Sequence, residues 1–363
     1  MVIPHYNHID MLPRALASVL DQDFEGIEIV VVDDGSQASC QPILDALQAA
    51  VPPMRLIRHP VNKGAPAALN SGIRAARGKM ISFLGADDLV LQGLYAAMAA
   101  ALEQSPQAAL ACGEVAIAGD DRSIRGIRPI TAPALSGGYL SPELVKKRLR
   151  TTDNWICNTA TVYQTALLRR IGGFEESLGS FCDGFASRVL AFENGFVFVP
   201  GIFGVWRVAS DTLSASSVLD PENATAFISI VLNRLAASPI TGAIPNYPET
   251  YARRLRFGAA RLRFVWGNIN VDPADIVAIG GLGLGDLHLL SAIKRMVGFR
   301  WIGSRLALGW LMIRLKPFGF AQLLLHMLRN RYLSFVNQTR ITSGISRAEA
   351  LGQQLLQSKD SPQ

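Results

Sequence analysis

Apolar positions in the first 120 residues alternate between two rhythms. Short unbroken runs, "MVIP", "IEIVVVDD", "MRLIRHP", "KMISFLGADD" and "AALACGEVAIAG", read as strands buried on both faces. Between them, apolar residues recur at helical spacing. In "HIDMLPRALASVLDQ" they fall at Leu12, Ala15 and Val19, with Leu20 beside them. Gln41–Ala50, "GAPAALNSGIRAA" and "LQGLYAAMAAALEQ" follow the same period. Strands alternating with helices predict an α/β fold: a mostly parallel, Rossmann-like sheet flanked by helices.

The rhythm changes twice. Residues 121–215 are less regular, and "FVFVPGIFGVWRV" predicts a mixed continuation of the sheet. From about Asp220 the pattern is helical to near Gln357. The expected organisation is therefore a sheet domain over 1–215, a helical region over 216–357 and a disordered polar tail over 358–363.

Composition narrows the class. The chain has 363 residues, 49% hydrophobic and 18% charged, enough for a large core. Four cysteines, at 40, 112, 157 and 182, lack any CxxC spacing. That argues against a disulfide framework or a cysteine zinc site and suits a reducing cytoplasm. The opening residues lack a signal-peptide pattern. No run of 18 uncharged apolar residues suggests a membrane span.

Net charge is +6, unevenly distributed. Leu287 to Ala348 holds ten Lys/Arg and no Asp or Glu, leaving 25 basic and 29 acidic residues elsewhere. This segment is also rich in leucine and aromatics. In "FAQLLLHMLRNRYL", Gln322, His326, Arg329 and Asn330 share one helical face, opposite Phe320, Leu324, Leu325 and Leu328. With Trp301 and Trp310 nearby, the expectation is peripheral attachment to an anionic membrane surface through residues 287–348. A helical cap on the sheet domain or on a second subunit is the alternative. No nucleic-acid motif accompanies the charge, so nucleic acid is not expected as a partner.

Chemistry concentrates at three strand ends, where open α/β sheets bind ligands. These are Pro4–Asn7, Asp33–Ser36 and Asp87–Asp88. A carboxylate at Asp33 or Asp34 can accept from a nucleobase N–H or a ribose hydroxyl. Asp87 and Asp88 are adjacent like charges at the exit of an apolar strand, and a hard cation such as Mn²⁺ or Mg²⁺ would relieve their repulsion. His5 and His8 have a metal-like spacing but no partner acid or third His nearby, and His59 and His288 are read as structural or exposed. "IVAIGGLGLGDL" lacks the acid a dinucleotide loop needs some 20 residues later and is expected to link helices.

Taken together, "VIPHYN", "ASVLDQDFEGIEIVVVDDGS", "NKGAPAALNSGI" and "GKMISFLGADD" resemble, in order and separation, the motifs of family-two glycosyltransferases with the GT-A fold. The resemblance covers roughly residues 1–215. It implies transfer of a sugar from a nucleotide-sugar, UDP-linked by preference, to an acceptor hydroxyl, usually with inversion. It implies Pro4 and Tyr6 beside the nucleobase and Asp34 on uracil or ribose. Asn62, Lys63 and Gly64 would lie near the nucleotide. Asp87 would contact ribose or metal, and Asp88 would be the main metal ligand. Two departures stand out. Gly85 occupies the first position of the usual Asp-x-Asp-Asp, and the first strand looks clipped, as a late start codon would leave it.

Inversion needs a general base. The family places it after a segment matched here by "RRIGGFEESLGSFCDGFASR". Its usual Glu-Asp pair is absent, so Asp183 is the candidate base, with Glu175 and Glu176 as fallbacks. "VWRVASDTLSAS" resembles the family's closing segment, in which Arg207 would pair with phosphate. The expected acceptor is a lipid-linked or cell-surface glycan intermediate at the inner face of the membrane. A non-catalytic nucleotide-sugar-binding protein of the same fold is the alternative. A sugar nucleotidyltransferase would need a Gly-rich basic loop after the first strand, which "PHYNHIDM" does not offer.

Overall fold

The computed structural model describes residues 1–129, 131–134, 136–150, 153, 155–209, 220–265, 271–299, 302–317 and 320–357. Trp301, most of the expected closing segment after Ala209 and the 358–363 tail lie outside them, as do the side chains of 320–324 and 326. The chain forms two compact units. One comprises 1–145, 154–208 and 325–363, the other 146–153 and 209–324. The stretch expected as one helical region over 216–357 is thus shared between them.

The first unit opens with β1 (Val2–His5), β2 (Ile29–Asp33) and β3 (Met54–Arg58), parallel throughout in the order β1-β2-β3. All five residues of β2 are buried, which is why it reads as an unbroken apolar run. Helices α1 (Leu12–Leu20) and α2 (Gln41–Ala50) join these strands and α3 (Ala65–Ala75) follows β3, each with proline in its first turn, where the missing N–H has no partner to lose. Helix α3 lies so close to β1 that a Cβ on Gly72 would stand 2.2 Å from Val2 Cγ1.

A second, mixed sheet follows. Its spine is β4 (Met80–Ser82), β9 (Thr161–Gln164), β6 (Leu110–Ala118), β10 (Phe196–Arg207) and β5 (Leu89–Val90), in that order. β7 (Ile124–Arg128) adds to β6, and β8 (Gly138–Leu140) to β10. β10 runs parallel to β6, and the remaining pairings are antiparallel. This is the mixed continuation that the irregular rhythm of 121–215 suggested. A parallel bridge between Val2 and Phe83 links the two sheets. Helices α4 (Leu94–Gln104), α5 (Pro142–Leu149), α6 (Thr165–Arg170) and α7 (Cys182–Asn194) complete this part.

The second unit is built on α8 (Pro221–Ala236), α9 (Pro239–Ala243), α10 (Tyr247–Val265), α11 (Pro273–Gly280), α12 (Leu284–Val297) and α13 (Ile302–Leu315). Ala224, Ile228, Ala260, Ile276, Leu290 and Leu311 form its core. Gly281, in a left-handed conformation (φ +59°), links α11 to α12 as the glycine-rich stretch led us to expect. The Trp310 Nε1 donates to buried Asp286 at 2.9 Å, and the ring packs, partly buried, against this unit's core.

A last helix, α14 (Phe320–Gln357), contributes residues 325–357 to the first unit. Ile341, Ile345 and Ala348 are buried with Leu89, Leu91, Ala116 and Val205. Two residues of its polar face, Arg329 and Asn330, bond to the first unit. Arg329 Nη1 reaches Glu114 Oε1, and Asn330 Nδ2 donates to the Ile127 carbonyl at 3.3 Å. Glu114 is fully buried in β6, and an unpaired carboxylate there would be costly, so it draws the arginine inward. Leu325, Leu328, Tyr332, Phe335 and Val336 are left exposed.

Candidate active site

β1, β2 and β3 run parallel, and the Val2–Phe83 bridge is parallel too. Their carboxyl ends therefore share one edge. Pro4, Tyr6, the Asp33–Asp34 turn and the turn carrying Asp87 and Asp88 all sit along it. A cavity of about 240 Å³ beside Met1, Glu28 and Met80 lies at the opposite, amino ends of these strands and is lined by none of these acids.

The Asp33–Asp34 turn is closed by hydrogen bonds. Asp33 Oδ2 accepts from Gln41 Nε2 at 2.9 Å and Oδ1 from the Ser36 N–H at 3.2 Å. Burial pushes the Asp33 carboxyl up, but the bonds from Ser36 and Gln41 outweigh it and hold the group below its usual range. His5 stands beside it, with Nδ1 3.4 Å from Asp33 Oδ1 and 3.2 Å from Ser36 Oγ, and burial lowers its pKa. Asp34 is 2% exposed. Its Oδ1 meets His59 Nδ1 at 2.6 Å and the Lys63 N–H at 3.0 Å, and its Oδ2 meets the Gly64 N–H at 2.8 Å. His59 Nε2 in turn lies 2.9 Å from Ser71 Oγ.

Asp34 thereby ties Asn62, Lys63 and Gly64 to the end of β2. Gly35 (φ +74°) permits the approach, since a Cβ there would stand 2.5 Å from the Val61 carbonyl carbon. Tyr6 is half exposed beside this turn, and Asn7 (φ +57°) accepts the Gln37 N–H at 2.9 Å and donates its own N–H to Ser36 Oγ at 3.0 Å.

The Asp87–Asp88 turn is a different environment. Asp88 is 7% exposed and satisfied by two donors, the Arg207 N–H at 2.9 Å and Thr159 Oγ1 at 3.0 Å. Burial, then the neighbouring Asp87 carboxylate, push its pKa well above the usual carboxylate range despite those bonds. The Asp87 carboxylate lies 3.4 Å from Arg207 Nη1, while Arg207 Nε holds Asp120 at 2.7 Å. Gly85 is what lets both acids fold back, because a Cβ there would lie 2.9 Å from Asp87 Oδ1 and 3.2 Å from Asp88 Oδ2.

Asp183 opens α7, half-buried, with Oδ1 accepting the Gly184 N–H at 2.6 Å. Burial raises its pKa against that bond and the charges of Arg188 and Arg128. Cys157 lies within electrostatic reach of both Asp88 and Asp183. Burial first, and then both carboxylates against the pull of Arg128, raise its thiol to about 12. The fallback acids are occupied elsewhere: Glu176 accepts from Asn70 Nδ2 at 3.2 Å and Glu175 from Ser177 Oγ at 3.1 Å.

Carboxylate oxygens suit a hard divalent cation, and a buried, destabilised anion next to a second one fits it electrostatically. Among the described residues no cluster of three or more His, Cys, Asp or Glu could hold a metal by itself. Further ligands would be phosphate oxygens and water, the usual arrangement for Mg²⁺ or Mn²⁺. His59, Thr159 and Arg14, whose Nη2 donates to the Asp87 carbonyl at 3.0 Å, were not singled out from the sequence. Each acts through a partner more than twenty positions away, and no local pattern marks them.

Residues 1–175 match the family model for glycosyl transferase family 2. A succinoglycan biosynthesis protein, ExoO of Rhizobium meliloti, is 45% identical over 24% of this chain and 25% of its own length. An uncharacterized glycosyltransferase of Nostoc is 39% identical over 24% of this chain and 28% of its own. The chain thus spans about a quarter of the length of these curated relatives. Residues 1–349 of S. aureus TarS, crystallised with UDP-GlcNAc, superpose with a TM-score of 0.55 at 16% identity, covering 88% of this chain and 92% of that one. A mannosyltransferase of Pyrobaculum calidifontis, in complex with GDP-Man and Mn²⁺, gives 0.53 at 16% identity, over 86% and 84%. The superpositions bear on the fold, a mixed α/β fold shared with these transferases, and the similarity to glycosyl transferase family 2 extends over residues 1–175, just under half of the chain.

Proposed function

We propose that the first unit transfers a sugar from a nucleotide-sugar, by preference a UDP-sugar, to an acceptor hydroxyl with inversion. The observation that carries this reading is Asp88: a buried carboxylate beside a second one, on the strand edge that also holds the Asp34-anchored loop. A divalent cation bound there supplies charge neutralisation for a departing diphosphate. Asp87 and Asp88 would hold it, and Arg207, released from Asp87 and Asp120, would pair with phosphate. Asn62, Lys63 and Gly64 would present backbone to the nucleotide, with Pro4 and Tyr6 beside the base.

Asp183 serves as the general base. It takes the proton of the acceptor hydroxyl as the new glycosidic bond forms at the anomeric carbon. The bond from that carbon to phosphate breaks, and its electron pair leaves with the nucleoside diphosphate. Burial raises the pKa of Asp183, which makes it a stronger base than an ordinary carboxylate.

The acceptor we propose is a lipid-linked or envelope glycan at the cytoplasmic face of a membrane. No helix among the described residues is long and apolar enough to cross one. Support for a peripheral site comes from the exposed Leu325, Leu328, Tyr332, Phe335 and Val336 of α14, in a segment with ten cations and no anion. Co-sedimentation with phosphatidylglycerol vesicles but not phosphatidylcholine vesicles is the expected result.

A melting-point screen of nucleotide-sugars with and without Mn²⁺ tests the donor reading, because a ligand of the native state raises the midpoint by mass action. A rise with UDP-sugars that needs Mn²⁺ is expected, and no response to any nucleoside diphosphate would overturn the reading. Anomeric configuration of the product by NMR tests inversion. Binding without turnover on any acceptor extract would leave a binding protein in place of an enzyme.

A further inference from the structure

The Asp87–Asp88 turn is held from behind by a residue the proposed chemistry does not use. Arg14 lies in the first turns of α1. Its Nη2 donates to the Asp87 carbonyl at 3.0 Å, and its Nη1 stands 4.0 Å from Glu349 Oε1 on α14. Glu349 Oε2 is also gripped by Arg122 Nη2 at 2.9 Å. Among the described residues, Arg14 Nε is buried with no hydrogen-bond partner, so the guanidinium is oriented through its two terminal nitrogens.

The helix that presents Glu349 is seated closely. A Cβ on Gly352 would lie 2.8 Å from Arg14 N and 2.9 Å from its Cα, so the backbone of α14 runs against that of α1. Gly344 faces Leu91, with a Cβ there 2.6 Å from its Cδ2. Arg340 Nη2 donates to the Gln92 carbonyl at 3.0 Å, and Arg347 pairs with Asp21. The segment 87–92 is therefore touched by α14 at Leu89, Leu91 and Gln92, and through Arg14 at Asp87. The Arg14 charge also favours the ionised form of Asp88.

We infer that Arg14 is a positioning residue for the cation and diphosphate turn, and that Glu349 on the final helix sets its orientation. Docking of α14 then governs how readily the Asp87–Asp88 turn accepts a divalent cation with its nucleotide. This rests on the donor reading of that turn. The relay itself, Glu349 to Arg14 to the Asp87 carbonyl, does not.

The test uses the full chain with Arg14→Met, Arg14→Lys, Glu349→Gln and, on the same helix but not reaching Asp87, Arg347→Gln. Two quantities are measured: the Mn²⁺ concentration giving half-maximal UDP binding, and amide exchange over residues 86–90 in the ligand-free protein. The Asp88 N–H, bonded to the Gly85 carbonyl at 3.0 Å, reports the turn directly.

Loss of a charge-assisted bond in Arg14→Met should raise the Mn²⁺ requirement about tenfold and speed exchange at 86–90. Glu349→Gln, which keeps the shape, should shift both in the same direction by a smaller factor. Arg14→Lys should restore part of the loss, and Arg347→Gln should leave both unchanged. Wild-type values for both quantities in Arg14→Met would overturn the inference, as would equal effects of Glu349→Gln and Arg347→Gln, which would make α14 a general brace. If the wild type binds no UDP with Mn²⁺, the donor reading falls while the exchange measurement still decides the relay.

Discussion

Two pairs of aspartates end two apolar strands on the same edge, and the fold treats them oppositely. Asp33 and Asp34 are met on every side by donors from nearby loops, and Asp33 is held below the ordinary carboxylate range. Asp88 is equally buried but has Asp87 for a neighbour, and its pKa rises. One pair fastens a loop through the donors that meet it. The other keeps a buried carboxylate beside a second one, so that burial and its neighbour both oppose its ionised form. The same dipeptide supports both because the outcome depends on which donors reach the oxygens and how close the second anion is.

The sharpest way to break this contrast is Asp88→Ala. It should abolish the Mn²⁺-dependent rise in melting point with UDP and lower transfer by about a thousandfold, since a metal ligand at a developing charge contributes several kcal/mol. Transfer that survives unaltered would make the second pair structural like the first. Asp34→Asn should do the reverse. Oδ2 would no longer accept the Gly64 N–H or Oδ1 the full complement it now holds, and urea denaturation should show a loss of about 2–3 kcal/mol.

The raised pKa of Asp88 gives the contrast a sign that pH can read. A carboxyl whose native pKa lies above its unfolded value stabilises the fold below the unfolded value, near pH 4, and that contribution is lost as pH climbs through the native value. The ligand-free unfolding free energy should therefore decline over that window, with a slope of at most about 1.4 kcal/mol per pH unit, and the melting point should fall with it. Asp88→Asn should flatten it, and added Mn²⁺ with UDP should offset it. Asp33, with its pKa lowered, works the other way: its contribution is present above pH 4 and is lost on acidification. The smallest effect belongs to Asp120→Asn. That side chain is 64% exposed, so freeing Arg207 from it should change stability by less than about 1 kcal/mol, measured by the same denaturation.

The strand ends and their acids were legible from the chain because apolar runs that stop at carboxylates leave a local mark. The anchors of those acids were not. His59 is an ordinary residue after a strand until Asp34 and Ser71 close on its two nitrogens. Thr159 carries no signal at all until β10 brings the Arg207 N–H to the other Asp88 oxygen. The last helix was legible only in part, for a physical reason. Arg329 reads as part of a solvated face until a buried glutamate at position 114 claims it, and a one-dimensional pattern does not reveal that demand. The small and branched residues Ile341, Gly344, Ile345, Ala348 and Gly352 do repeat at helical spacing, which marks a packing face without naming its partner.

That α14 returns to the first unit after more than a hundred residues spent in the second has a consequence for biogenesis. In the sequence the aspartate edge precedes the second unit, and the α14 residues that pack on Leu89 and Leu91 follow it. The first unit must therefore wait for the intervening helices before α14 can join it. Anything that tethers or delays those helices therefore changes when the first unit is complete, without touching a residue of the aspartate edge.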